Sequence, residues 1–130
     1  MSYVSLHTHT TYSLLDSTSS PVDFISKAKE FGMSAMAFTE HGNLYNWIKK
    51  KQYCDKAGIK YIHGIEFYVT CDEDEKTRDN YHMIALAKNK SGVDEINSLV
   101  TLSTTPEQMY YAPRITAKQV ANLSNNVIVL

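Results

Sequence analysis

Short β-prone runs early in this chain end on side chains that bind metals, and helix-like segments lie between them. The first run, Tyr3-Val4-Ser5-Leu6, leads into His7-Thr8-His9; the second, Ala35-Met36-Ala37-Phe38, leads into Glu40-His41; the third, residues 59–62, is followed by Gly64-Ile65-Glu66. Strands that alternate with helices favour a parallel α/β sheet or barrel, in which sites gather at the carboxyl ends of strands. Side chains along a strand alternate between faces, so His7 and His9 share one face and can converge on one ion.

The intervening segments carry helix signals. Ser20-Pro21-Val22-Asp23 supplies an N-cap, a proline at the first helical position and an acid three residues after the cap. Phe24, Ile25, Ala28 and Phe31 recur at helical spacing, and Gly32 suits the left-handed residue that ends such a helix. A second helix is expected with Leu44, Trp47, Ile48 and Lys51 along one side, ending near Ala57-Gly58. Phe67-Tyr68-Val69-Thr70 prolongs the third strand, and residues 81–87 form another strand candidate that starts next to His82. Beyond Asn89 the pattern predicts a helix through about Leu102, a loop holding Pro106 and Pro113, a short helix over residues 116–123 and a last strand over 127–130.

Composition bounds the function. With 130 residues, 43% hydrophobic and 21% charged, the chain has the size and make-up of one soluble domain, and no run approaches the roughly 20 apolar residues that span a bilayer. The start lacks a basic region followed by a long apolar core, which predicts a cytoplasmic protein with no membrane partner. Cys54 and Cys71 lack CxxC spacing and read as reduced thiols. A net charge of −1 with scattered basic residues argues against tight duplex binding by the chain alone. Lys49-Lys50-Lys51 reads as a solvated helix face, and Asp72-Glu73-Asp74-Glu75 as an exposed turn without the glycine and alternation of a calcium loop.

His7, His9, Asp16, His41, Glu66 and His82 form the candidate ligand set. Histidine nitrogen with carboxylate oxygen suits zinc, manganese or iron, and a Glu among histidines can bridge two ions. Such a cluster polarises a phosphoryl oxygen and activates water, so phosphoester hydrolysis is the expected chemistry. No Walker-type loop competes with it. Glu40 and Asp16 are the weaker acids, either of which could cap a turn or orient a histidine from behind. His63 reads first as an ordinary strand histidine, and Tyr110 and Tyr111 as packing residues near Pro113.

Four segments carry a family resemblance: residues 6–16 (LHTHTTYSLLD), 39–44 (TEHGNL), 64–69 (GIEFYV) and 81–89 (YHMIALAKN). Together they resemble the PHP (polymerase and histidinol phosphatase) domain. The Tyr-Ser-Leu-Leu-Asp and His-Gly-Asn-Leu-Tyr runs, with residues 110–115 (YYAPRI), are similar to the branch at the amino terminus of bacterial replicative DNA polymerase III alpha subunits. The resemblance implies a distorted, TIM-like βα barrel with mostly parallel strands, of which residues 1–130 would be the amino-terminal half, and up to three divalent metals. On these positions it puts His7, His9 and Glu66 at one ion, Glu66 and His82 at a second, and Asp16 and His41 at a third. The family completes the set with a later Cys or His and an Asp-x-His pair, so the segment alone is expected to be incomplete as a catalyst. Glu40 stands where the family usually has Asp, which weakens any direct role for it. The implied activity is a metal-dependent phosphodiesterase of the 3′–5′ exonuclease type. The rest of the alpha subunit or replisome, and a DNA 3′ end met through the complete protein, would be the partners. A free-standing phosphomonoesterase of the histidinol phosphatase type and a non-catalytic support domain are the alternatives.

Overall fold

The computed structural model describes residues 3–71, 76, 78 and 80–130, and the acidic run at 72–75 lies outside the described residues. Helix α1 (Pro21–Glu30) begins as its sequence dictates. The Ser20 side chain accepts from the Asp23 amide while the Asp23 carboxylate accepts from the Ser20 amide, a reciprocal cap that satisfies two otherwise orphaned donors. Gly32 follows at φ +67°, as expected of the stop.

Strand β1 (Ala35–Phe38) is buried along its whole length, helix α2 spans Trp47–Ala57, and strand β2 runs unbroken from Lys60 to Thr70. The third expected strand and its extension are therefore one element. Strand β3 (Tyr81–Ala87), helix α3 (Lys90–Ser103), a three-residue strand β4 (Arg114–Thr116), the short helix α4 (Ala117–Ala121) and strand β5 (Val127–Val129) complete the order. The expected first strand is reduced to one parallel bridge, Ser5 to Met36, where Ala37 donates its amide to the Ser5 carbonyl.

The sheet is mixed. β1 and β4 pair parallel with successive stretches of β2, whereas β3 pairs antiparallel with β2, and β5 antiparallel with β3. The expectation of mostly parallel strands thus holds on one side of β2 and fails on the other. The reason lies in the linker: only residues 71–80 separate β2 from β3, too few for the crossover that a parallel return requires.

Two apolar clusters hold the layers. Ile65, Phe67 and Val69 of β2 and Met83 and Ala85 of β3 pack with Ile96, Ile115 and Val127; Ile25, Ala28, Met36, Phe38, Cys54 and Ile59 join α1, β1 and α2. Odd-numbered β2 residues therefore face the helices, which leaves Glu66 and Tyr68 for the opposite face. The buried side of α2 is Lys50 and Cys54, while Ile48 and Lys51 are exposed, so the expected stripe is rotated by about one position.

Candidate metal centre

Glu66 is the hub. Its carboxylate is 4% exposed, with His7 Nε2 at 2.6 Å and His9 Nε2 at 3.1 Å from Oε2, and His41 Nδ1 at 2.9 Å and His82 Nδ1 at 2.8 Å from Oε1. The backbone explains the convergence. Between His7 and His9, Thr8 turns toward β1, donating its amide to Thr39 Oγ1, so the two imidazoles fall on the other side with Nε2 atoms 2.7 Å apart. His7 and His9 thus share one face although the segment forms only a single bridge.

His41 arrives at the carboxyl end of β1, where it bridges Glu66: the Glu66 amide donates to the Glu40 carbonyl and the Gly42 amide to the Glu66 carbonyl. Gly42 turns the chain there at φ +60°, and a β-carbon would stand 2.7 Å from Pro113 Cγ, so any other residue there is strained. His82 pairs with Tyr68 across β2 and β3 and projects on the Glu66 face. Asp16, half exposed, comes from the loop after His9 and lies 3.4 Å from His41 Nε2 and 3.8 Å from His9 Nδ1.

All six expected donors meet in three overlapping groups: His7-His9-Glu66, His9-Asp16-His41 and His41-Glu66-His82. The implied sets are enlarged, because His9 approaches the Asp16 group and His41 the His82 group. The donor atoms also pass a test for a cation. His41 Nδ1 and Glu66 Oε1 are buried and have no aligned hydrogen bond despite their 2.9 Å separation. Ligand atoms that share an ion with bonds of about 2.0–2.2 Å stand roughly 3 Å apart and point at the ion instead of each other. The residues present fit a divalent cation.

Glu40 faces away from these groups, since it and His41 are consecutive in extended chain. It is 1% exposed and paired with Lys50, 2% exposed, at 2.7 Å. That burial corrects the reading of Lys49-Lys50-Lys51 as a solvated face: its middle member points inward, beside the Tyr12 and Phe38 rings. Burial pushes the Glu40 carboxyl up, but the Lys50 ammonium, the Ser13 and Thr10 hydroxyls and the Thr10 amide outweigh it, and the net pKa lies below the ordinary value. Burial lowers the Lys50 pKa, with Glu40 opposing. His9 is likewise lowered, first by burial and then by His41, against the pull of Glu66.

His63 lies outside the centre. It faces the helices, with Nδ1 3.2 Å from the Tyr61 hydroxyl, Nε2 3.2 Å from Asn97 Oδ1 and Trp47 edge-on. Tyr110 and Tyr111 pack edge to face on each other, and Arg78 covers the Tyr111 ring at 3.6 Å. Sequence reasoning missed the Lys50 and Ser13 contributions. The one signal available was the alternation that turns Glu40 away from His41 and toward whatever α2 presents.

The family model described as "PHP domain" matches residues 5–130. The chain matches DNA polymerase III alpha subunits: it is 37% identical to that of Chlamydia pneumoniae and 40% identical to that of Treponema pallidum, over 100% of this chain in each case. The one from Borreliella burgdorferi is 40% identical over 97% of this chain. The chain spans only 11–12% of the length of these relatives. Among solved structures, a protein from Bifidobacterium adolescentis designated as a metal-dependent phosphoesterase superposes with a TM-score of 0.57 at 24% identity, covering 77% of this chain and 32% of that one. An amidohydrolase from Chromobacterium violaceum superposes at 0.55 with 20% identity, covering 74% of this chain and 32% of that one. These two likenesses concern the fold.

Proposed function

The chain belongs to the PHP domain family, and from that premise we propose that it is the PHP portion of a replicative DNA polymerase alpha subunit, with a phosphodiesterase centre that removes nucleotides from a DNA 3′ end. The observation that supports this reading is the gathering of four imidazoles around one buried carboxylate. Zinc, manganese or iron would be the ions, up to three of them. His7, His9 and Glu66 Oε2 would hold the first, Glu66 Oε1 and His82 the second, and Asp16 and His41 the third, with His41 able to turn Nδ1 to the second. When bound, such ions supply Lewis-acid charge to a phosphoryl oxygen and activate water near neutral pH.

The chain's own residues have defined tasks in this proposal. Glu66 brings negative charge into a buried position among the histidines, which keeps the cluster from being a purely cationic pocket. His82, half exposed, and Asp16 line the open side where a phosphodiester would enter. Residues beyond this segment would complete the ligand set and the DNA-binding surface.

The test uses an alpha subunit that carries this sequence at its amino terminus, with manganese or zinc and a 3′-labelled single-stranded DNA. Release of labelled mononucleotide that is lost in Glu66→Gln supports the proposal. Turnover of histidinol phosphate or an aryl phosphate with DNA left intact would move the chain to the phosphomonoesterases. Retention of no metal, with stability unchanged by a chelator, would make it a support domain.

A further inference from the structure

Resting on the metal-centre reading above, we infer that Lys50, Glu40 and Ser13 form a buried relay that fixes His9 as its Nδ1–H tautomer, so that Nε2 is the atom offered to the ion shared with His7 and Glu66. These three are positioning residues: none lies in a donor group.

The relay can be read proton by proton. Each oxygen of Glu40 receives two donors: Lys50 Nζ at 2.7 Å and the Thr10 hydroxyl at 2.5 Å reach Oε1, and the Thr10 amide at 2.9 Å and Ser13 Oγ at 2.6 Å reach Oε2. The Lys50 ammonium at 2.7 Å favours the ionised form of Glu40, and a carboxylate only accepts, in keeping with four donors shared between its two oxygens. Ser13 must therefore spend its single hydrogen on Glu40. What remains on Ser13 Oγ is acceptor capacity, which takes the His41 amide at 3.2 Å and faces His9 Nδ1 at 2.8 Å. With no hydrogen left on the hydroxyl for that contact, the hydrogen must come from the ring. His9 carries its proton on Nδ1 and leaves the Nε2 lone pair directed at the group that holds Glu66 Oε2, 3.1 Å away.

The same bookkeeping separates two groupings that geometry alone leaves open. His9 approaches Asp16 through Nδ1. A protonated Nδ1 bound to Ser13 cannot ligate, so His9 serves the His7 and Glu66 ion and leaves the Asp16 group to His41. Ser13 is fully buried, so water does not scramble the assignment. Hydrogen-bond partners behind a ligating histidine commonly set its tautomer in this way, and their loss costs roughly 10–100-fold in metal affinity.

The test reads the tautomer directly, by two-bond ¹H–¹⁵N correlation of the imidazoles in the chelator-treated chain, followed by zinc titration. In the unaltered chain His9 is expected as Nδ1–H. Glu40→Gln places an amide donor against Ser13, which releases the Ser13 hydrogen toward His9 and converts it to Nε2–H. Because this variant also sets an amide against the Thr10 N–H, Ser13→Ala serves as the second: His9 then loses its acceptor and reverts to the Nε2–H form that unassisted imidazoles favour in water. Zinc affinity is expected to drop about 10–100-fold in both. A purely structural role would lower stability and leave the tautomer unchanged. His9 found as Nε2–H in the unaltered chain, or kept as Nδ1–H in either folded variant, overturns the inference. Failure of the unaltered chain to bind zinc would instead sink the metal-centre reading, and the tautomer result would stand apart from it.

Discussion

Lys50→Met is the most decisive stability test, because the three consecutive lysines occupy such different environments. Lys50 Nζ sits 2.7 Å from Glu40 Oε1, and at an effective dielectric constant near 20 the attraction across that distance is about 6 kcal/mol before desolvation is subtracted. The Tyr12 ring at 4.9 Å and the Phe38 ring at 5.6 Å add a smaller cation–π share. Met keeps most of the stem and removes the charge, stranding the Glu40 carboxylate with only neutral donors; breaking one side of a buried pair costs about 3–5 kcal/mol. Lys51, exposed and paired with Asp55 one turn on, is the internal control, for which about 0.5 kcal/mol or less is expected on substitution by Met. The assay is urea unfolding by circular dichroism. With a slope of about 2 kcal/mol per molar, Lys50→Met should lower the midpoint by roughly 1.5–2.5 M and Lys51→Met by no more than about 0.3 M. Glu40→Met combined with Lys50→Met should recover much of the loss, since a buried pair replaced on both sides by apolar groups is often close to neutral. Equal midpoints for the two single lysine variants would refute the buried pair.

Three further outcomes follow from other parts of the molecule. Burial holds His63 below its ordinary pKa, with Asn97 opposing and Lys50 reinforcing the shift. As pH falls below about 6.5 the unfolded chain gains a proton that the folded chain resists, so stability drops from there down to the lowered folded value; His63→Gln should flatten that loss between pH 7 and 5 in urea midpoints. Gly42→Ala should cost about 1–3 kcal/mol, from its φ of +60° and the contact a β-carbon would make with Pro113, and thermal melts will show it. The buried Cys54 thiol, pushed up to about 11 by burial, should react with a thiol reagent at pH 8 only after unfolding, whereas the exposed Cys71 should react in the native chain; mass spectrometry of the labelled peptides separates them.

What was legible in the sequence follows from how local its causes are. The α1 cap is legible because Ser20 and Asp23 are each other's partners within one turn. The convergence of the six candidate ligands is legible in the HxH pair and in the His and carboxylate residues that recur after strands, a set that the family resemblance sharpens. Tyr3-Val4-Ser5-Leu6 has β propensity, yet it makes one bridge to β1, because propensity says nothing about available partners. The antiparallel pairing of β3 with β2 is legible in the length of the linker, whereas strand-helix alternation elsewhere suggests a parallel pattern. The buried face of α2 is not legible from apolar periodicity, because a lysine occupies the inward position while Ile48 is 57% exposed.

That inward lysine is intelligible only together with Glu40. In an extended segment His41 and Glu40 must face opposite ways, so one residue joins the ligand cluster and its neighbour is driven toward the helix layer, into a place where a bare carboxylate would be intolerable. The chain meets the demand from two segments at once: Lys50 from α2, and Thr10 and Ser13 from the loop that follows the histidine pair. Thr10 and Ser13 also tie the loop that leads to Asp16 to the strand end that carries His41, both by donating to Glu40 and, for Ser13, by accepting from the His41 amide. The acid that the family pattern left without a clear role is thus the point where the two segments that carry candidate ligands are fastened together. Removing it should loosen the donors from both segments, while His82, carried by β3 on the far side of Glu66, should keep its place.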